Sequence, residues 1–396
     1  MNRIEKPLRA LAINLPRADR SIETFHLSEP GNFPARAKSK LNRIAFAAVH
    51  VVADPRVDKD PWLSCNIDWD KTISFREHLW GLGLGVAEAM DTAQRGMGVD
   101  WPTSLELIRR SVAAAKHCNG KVFSGCGTDQ LEPNDAKDLD DVIRAYEEQV
   151  EAIEGMGSRI VLMASRALAR VARSTDDYVK VYDRILNNVR EPVIIHWLGD
   201  MFDPALAGYW GSSDLDKAMD TAVAVINGHA SKVDGVKISL LDKNKEITMR
   251  RRLKQGVLMY TGDDFNYAEL IAGDDKGYSH ALLGIFDAIA PAASAALVKL
   301  AMNDTTSFHD ILAPTVPLSR HIFKSQTRFY KTGVVFMAYL NGHQDHFIMI
   351  GGQESARSTV HLADIFRLAD KAGLLRDPEL AAARMRAVLA IRGIDS

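Results

Sequence analysis

Short apolar runs alternate with amphipathic stretches through the middle of the chain. Residues 43–52 (RIAFAAVHVV), 82–89, 121–125 (KVFSG), 159–164 (RIVLMA), 192–198 (PVIIHWL), 233–240, 256–261 (GVLMYT) and 279–286 (SHALLGIF) each read as a short buried strand. Between them, residues 70–80, 103–116, 139–154, 176–187, 214–227, 246–254 and 265–272 read as helices. Eight strands alternating with helices, roughly 20 to 40 residues apart, predict an α/β protein with a (β/α)8 TIM barrel. The rival is an open doubly wound sheet, which usually has a glycine-rich turn after its first strand. Here residues 50–55 read HVVADP, and Gly81, Gly83 and Gly85 lie before or within the second strand.

The rhythm sets three segments: an N-terminal extension over 1–42, the barrel over 43–300 and a C-terminal helical region over 301–396. In the extension, residues 8–15 and 21–27 suit a hairpin turning at Pro16 and Arg17. Beyond the barrel, residues 317–340, 358–372 and 378–391 read as helices.

Composition narrows the function classes. The 396 residues carry a formal net charge of −2, so nothing pulls the whole chain toward nucleic acid or an anionic membrane. No apolar run approaches the 18 or so residues of a membrane span. The first residues, MNRIEKP, lack the apolar core of a signal peptide, and a cytoplasmic location is expected. Three scattered cysteines, Cys65, Cys118 and Cys126, fit neither a disulfide framework nor a zinc finger.

In a barrel, chemistry sits at the C-terminal ends of the strands. His50, Glu88, Asp91, Ser124, His196, Lys237, Ser239 and Asp263 fall at or near those ends, while His280 opens its strand. A polar side chain near almost every strand end needs a partner or a purpose. Lys237, between Val236 and Ile238, is costly to bury charged. Taken alone it reads as a strand-end lysine reaching water or a carboxylate. Trp210, in the long connection after the fifth strand, either closes over the mouth or packs on the surface.

Four motifs, in order, resemble the dihydrodipicolinate synthase / N-acetylneuraminate lyase superfamily of class I aldolases. Asp234-Gly235-Val236-Lys237 resembles that superfamily's Gly-(Ile/Val)-Lys on strand six. Residues 192–197 (PVIIHW) stand where it has Pro-(Ile/Val)-Ile-Leu-Tyr-Asn, residues 123–128 (FSGCGT) resemble its Ala-Gly-Thr-Gly, and residues 260–264 (YTGDD) its Ser-Gly-Asp-Asp. The chain resembles a divergent branch of that superfamily known only as a domain of unknown function. The resemblance implies a Schiff-base lysine at Lys237 and an acid–base residue at His196, where the superfamily has tyrosine. Its Gly-Thr-Thr-Gly-Glu loop, which grips a keto-acid carboxylate, is replaced here by Met90-Asp91-Thr92-Ala93.

The expected function is a Schiff-base lyase, aldolase or dehydratase acting on a small carbonyl compound, sugar-derived rather than pyruvate. Lys237 and His196 are the expected catalytic residues. His50, Glu88, Asp91, Ser124, Ser239, Asp263 and His280 are expected to bind substrate. No cofactor is expected. Two alternatives stand beside this reading. One is a metal-dependent sugar lyase or isomerase, with His50, Glu88, His196, Asp263 and His280 holding Mn2+, Mg2+ or Zn2+. The other is a barrel that binds a ligand without catalysis. A homo-oligomer is expected from the resemblance and the C-terminal helices.

Overall fold

The computed structural model describes residues 11–33, 41–90 and 95–394. Strands β3 (Ala45–Ala48), β4 (Gly85–Glu88), β5 (Val122–Cys126), β6 (Arg159–Leu162), β7 (Val193–Leu198), β8 (Val233–Ser239), β9 (Leu258–Thr261) and β10 (His280–Leu283) close into one parallel barrel. The predicted TIM barrel is therefore the observed one. Around and between the strands lie α1 (Trp69–Gly81), α2 (Trp101–Cys118), α3 (Leu139–Gly155), α4 (Arg166–Val171), α5 (Thr175–Asn188), α6 (Leu215–Gly228), α7 (Lys243–Arg250) and α8 (Tyr267–Ala272). After β10 come α9 (Ile285–Ala288), α10 (Ala290–Ala301), α11 (Thr305–Leu312), α12 (Thr315–Ile322), α13 (Tyr330–Leu340), α14 (Thr359–Lys371) and α15 (Pro378–Ile391).

Aspartates ending the loops start many of these helices. Asp68, Asp100, Asp138, Asp214 and Asp242 each accept backbone N–H groups of the following first turn. Such caps satisfy donors that a helix cannot satisfy itself.

Side chains alternate across each barrel strand. Phe46, Ala48, Ala87, Phe123, Val161, Ile194, Tyr260 and Leu282 fill the bore. Their neighbours Val86, Ile195, Trp197, Val236, Ile238 and Met259 face the helices instead. This alternation decides which polar residues near the strand ends can meet a substrate.

The N-terminal hairpin pairs β1 (Ala12–Pro16) with β2 (Ile22–His26) in antiparallel register. It docks on the C-terminal helices. Arg367 on α14 donates to the carbonyls of Leu15 and Pro16 and pairs with Glu23, and Arg386 on α15 donates to Ala12. The C-terminal region is helical, with one difference from expectation. The helix read over residues 317–340 is two, α12 and α13, separated by a polar, partly exposed stretch around Lys324-Ser325-Gln326. Every residue of α13 is buried, as expected of a helix that is apolar on all sides.

Candidate active site

Lys237 and His196 are neighbours across the β7–β8 ladder, paired in register, and both are buried. His196 alternates inward with Ile194, and Lys237 inward between the outward Val236 and Ile238. Ser239, two positions beyond Lys237, lies 3.2 Å from His196 Nε2 and orients the ring. Gly262 closes the other side. A Cβ there would stand 3.0 Å from Lys237 Cε and 2.3 Å from Ser239 Oγ, so only glycine lets β9 approach this closely. The structure places Lys237, His196 and Ser239 together at the C-terminal ends of β7 and β8.

Two residues outside the expected site set lie near them. Asp264 is buried, accepts from the Ile285 N–H at 2.9 Å, and lies within electrostatic reach of Lys237. Burial pushes its carboxyl up to about 7, although the Ile285 N–H and both Lys237 and Lys331 oppose the rise. Lys331, on α13, reaches into the barrel mouth. Its ammonium donates to the Ala48 carbonyl and lies 3.9 Å from Asp287. Burial brings it down to about 8 against the pull of Asp287.

His50 also reaches this mouth, but its partner is Asp287. The Asp287 carboxylate accepts from the His50 backbone N–H at 2.8 Å and lies 2.8 Å from His50 Nδ1. Burial opposes ionisation of Asp287, and His50 and Lys331 more than offset it, holding the carboxyl below its usual range.

Four expected binding residues are placed elsewhere. Glu88 faces outward with Val86. It accepts two 2.9 Å bonds from Arg76, one from Ser111 Oγ at 2.5 Å and one from the Ala89 N–H at 2.9 Å. It ties strand to helices and cannot contact a ligand in the bore. Ser124 also faces outward, 2.8 Å from Ser158 Oγ. Asp263 is spent on its own turn, accepting from the N–H groups of Phe265 and Asn266 and from the Asn266 side chain. His280 opens β10 at the opposite, N-terminal end of the barrel, where Nδ1 accepts from the Ile44 N–H at 3.0 Å. Burial and Arg43 lower it to about 4, leaving it neutral. Asp91 lies outside the described residues. With Glu88, Asp263 and His280 dispersed in this way, the alternative metal-ligand set does not converge. Among the described residues no group of three or more His, Cys, Asp or Glu could hold a metal ion.

A cleft of about 750 Å³ lies over the C-terminal ends of β5, β6 and β7, with Met163 and Leu198 on its floor. Its walls carry the ion pairs Arg95–Asp129 and Arg166–Asp203 and the indoles of Trp62 and Trp101. Trp62 is largely exposed. Trp210 does not line this cleft. It is fully buried, 4.5 Å from the Tyr182 ring, and serves packing. Cys126 faces outward and burial pushes its thiol up, so it is no nucleophile at neutral pH.

Comparison with known proteins agrees with this architecture. The chain belongs to the family described as "Protein of unknown function (DUF993)", whose model matches residues 13–394. No curated protein matches it. Among solved structures, it is similar to the chloride-inhibited dihydrodipicolinate synthase of Acinetobacter baumannii complexed with pyruvate. That pair has a TM-score of 0.62 and 14% identity, covering 84% of this chain and 99% of the other. The dihydrodipicolinate synthase of Aquifex aeolicus gives a TM-score of 0.62 at 11% identity, over 84% of this chain and 99% of that one. The resemblance read from the motifs is thus found again as a shared fold. No helix among the described residues is long and apolar enough to cross a membrane.

Proposed function

We propose that the chain is a Schiff-base lyase of the class I aldolase type, acting on a small hydroxylated carbonyl compound that is sugar-derived rather than pyruvate. The observation that carries the reading is Lys237. It is a buried lysine in the bore of a barrel, beside His196 in register and backed by a glycine that leaves room for it. The unprotonated amine adds to the substrate carbonyl carbon, and water leaves to give an iminium. Cleavage of the adjacent C–C bond, or removal of the α-proton, delivers an electron pair into that iminium to give an enamine; in the dehydration the enamine then expels the β-hydroxyl, protonated, as water. His196, held by Ser239, moves the accompanying proton. Water then releases product and restores the amine. The lysine itself is the electron-sink handle, and the reaction needs no cofactor.

The substrate class rests on the cleft beside the lysine: Lys237 and His196 do not line it, but Leu198 on its floor is two positions beyond His196 on β7, so a substrate longer than three carbons held at Lys237 extends into it. Its volume far exceeds what a three-carbon acid fills, and its two arginines are already paired with aspartates. Carboxylates, arginines and indoles suit a chain of hydroxyl groups better than a lone carboxylate.

The test is incubation with sodium borohydride and a panel of carbonyl compounds, followed by whole-protein mass. A gain of one reduced adduct per chain is expected, larger with hydroxylated oxo-sugar acids than with pyruvate, and absent from Lys237→Arg. Turnover of a panel member without any adduct would sink the proposal.

A further inference from the structure

We infer that Trp62 determines specificity in the cleft: its indole is a fixed platform for the hydroxylated chain of the substrate, held in place by a glycine turn of the C-terminal region. This role rests on the reading of the cleft as the substrate's. It does not depend on the amine chemistry of Lys237.

Trp62 lies at the tip of the connection between β3 and α1. The base of that connection is closed, with Ala53 paired to Ile67 and the Asp54 N–H donating to the Asn66 carbonyl at 3.0 Å. At the tip, the N–H groups of Leu63 and Ser64 both donate to the Asp60 carbonyl at 3.0 Å. This tight turn leaves Trp62 and Leu63 71% and 78% exposed, and no other tryptophan of the chain is so open. Neighbouring large apolar side chains exposed on the wall of a cleft mark a surface that a ligand covers.

Backbone from a distant part of the chain fixes this tip. The 3-10 turn Ile350–Ser355, between α13 and α14, holds Gly351 and Gly352, both at positive φ. The Gly351 N–H donates to the Pro61 carbonyl at 2.9 Å. A Cβ at Gly352 would stand 2.8 Å from Trp62 Cε3, so the indole rests on bare backbone. The same turn meets the connection between β4 and α2. There a Cβ at Gly351 would stand 3.0 Å from the Met97 carbonyl oxygen, and one at Gly98 would stand 2.6 Å from Ile350 Cγ2. Residues 61–65 and 98–102 are both cleft wall, so one C-terminal turn clasps the two loops that form it. The indole is thus exposed and also anchored.

The C–H groups of a sugar chain carry partial positive charge and favour the negative face of an indole, while the hydroxyl groups remain free for polar partners such as Arg166 and Asp203. A three-carbon acid has no such chain to lay on the ring. Trp62 therefore selects by length and hydroxylation.

The test uses open-chain aldonates, which have no aldehyde or ketone for an amine to attack. Affinities for aldonates of three, four and six carbons are measured by saturation-transfer NMR titration. In the parent, affinity is expected to rise with chain length. In Trp62→Ala the six-carbon aldonate is expected to lose about five- to tenfold, with the three-carbon one unchanged. Gly352→Ala, which crowds the indole without removing it, is expected to reproduce that loss. No aldonate binding by the parent overturns the proposal, as does an equal loss at every chain length in Trp62→Ala. A Gly352→Ala identical to the parent overturns the clasp. A Trp62→Ala that changes the subunit count in light scattering, with aldonate affinities intact, also overturns the proposal and points to a protein contact. A failed borohydride test beside the expected affinities sinks the Schiff-base reading alone.

Discussion

At the scale of single residues, the direction of a side chain separates function from scaffold. Glu88 and Lys237 both sit in barrel strands, both are buried, and both read as site residues in the sequence. One step of the pleat sends Glu88 to Arg76 and Lys237 to the bore. The same step separates Asp263, which closes its own turn, from Asp264, which faces the lysines. Counting inward positions from Tyr260 through Gly262 would have chosen Asp264, so this signal was in the sequence. Lys331 had a weaker one, a lone charge in an apolar helix, but nothing in the sequence says which barrel end that helix covers. The Glu88 placement gives a prediction. Glu88→Ala leaves Arg76 buried without its carboxylate and should cost about 3 to 5 kcal/mol. Denaturant unfolding measures this, and borohydride trapping at Lys237 in the folded variant should be unchanged.

At the scale of elements, the eight strands and most helices were legible because buried strands and amphipathic helices have different periods. The break between α12 and α13 was not, since residues 323–329 continue the apolar pattern on either side of a short polar stretch. Helix α7 carries a feature outside the site that titrates. Glu246 is buried, with Ser279 Oγ donating to it at 2.7 Å, and burial raises its carboxyl to about 8. A carboxyl raised in the folded state favours the native form when protonated. Its contribution is full below about 4.5 and is lost as pH rises through about 8. The stability of the parent protein should therefore fall between pH 5 and 8 relative to that of Glu246→Gln, by on the order of a few kcal/mol, seen as a lower thermal midpoint. Parallel melting curves at four pH values across that window measure it. Equal slopes would contradict the assignment.

At the scale of the whole molecule, the barrel does not finish its own active site. The N-terminal hairpin braces α14 and α15, α13 lies buried among these helices, and α13 delivers Lys331 to Ala48. Packing far from the chemistry therefore holds the mouth together. Phe336, fully buried on α13 and 5.1 Å from Phe347, is a clean probe. Phe336→Ala should destabilise the fold by about 3 to 5 kcal/mol, as read by thermal unfolding. The central claim remains that Lys237, and not the second buried lysine, is the nucleophile. Peptide mapping of the borohydride-reduced adduct tests this most directly. The account predicts the added mass on the peptide containing Lys237 and its disappearance in Lys237→Arg. An adduct on the peptide containing Lys331 instead would contradict it.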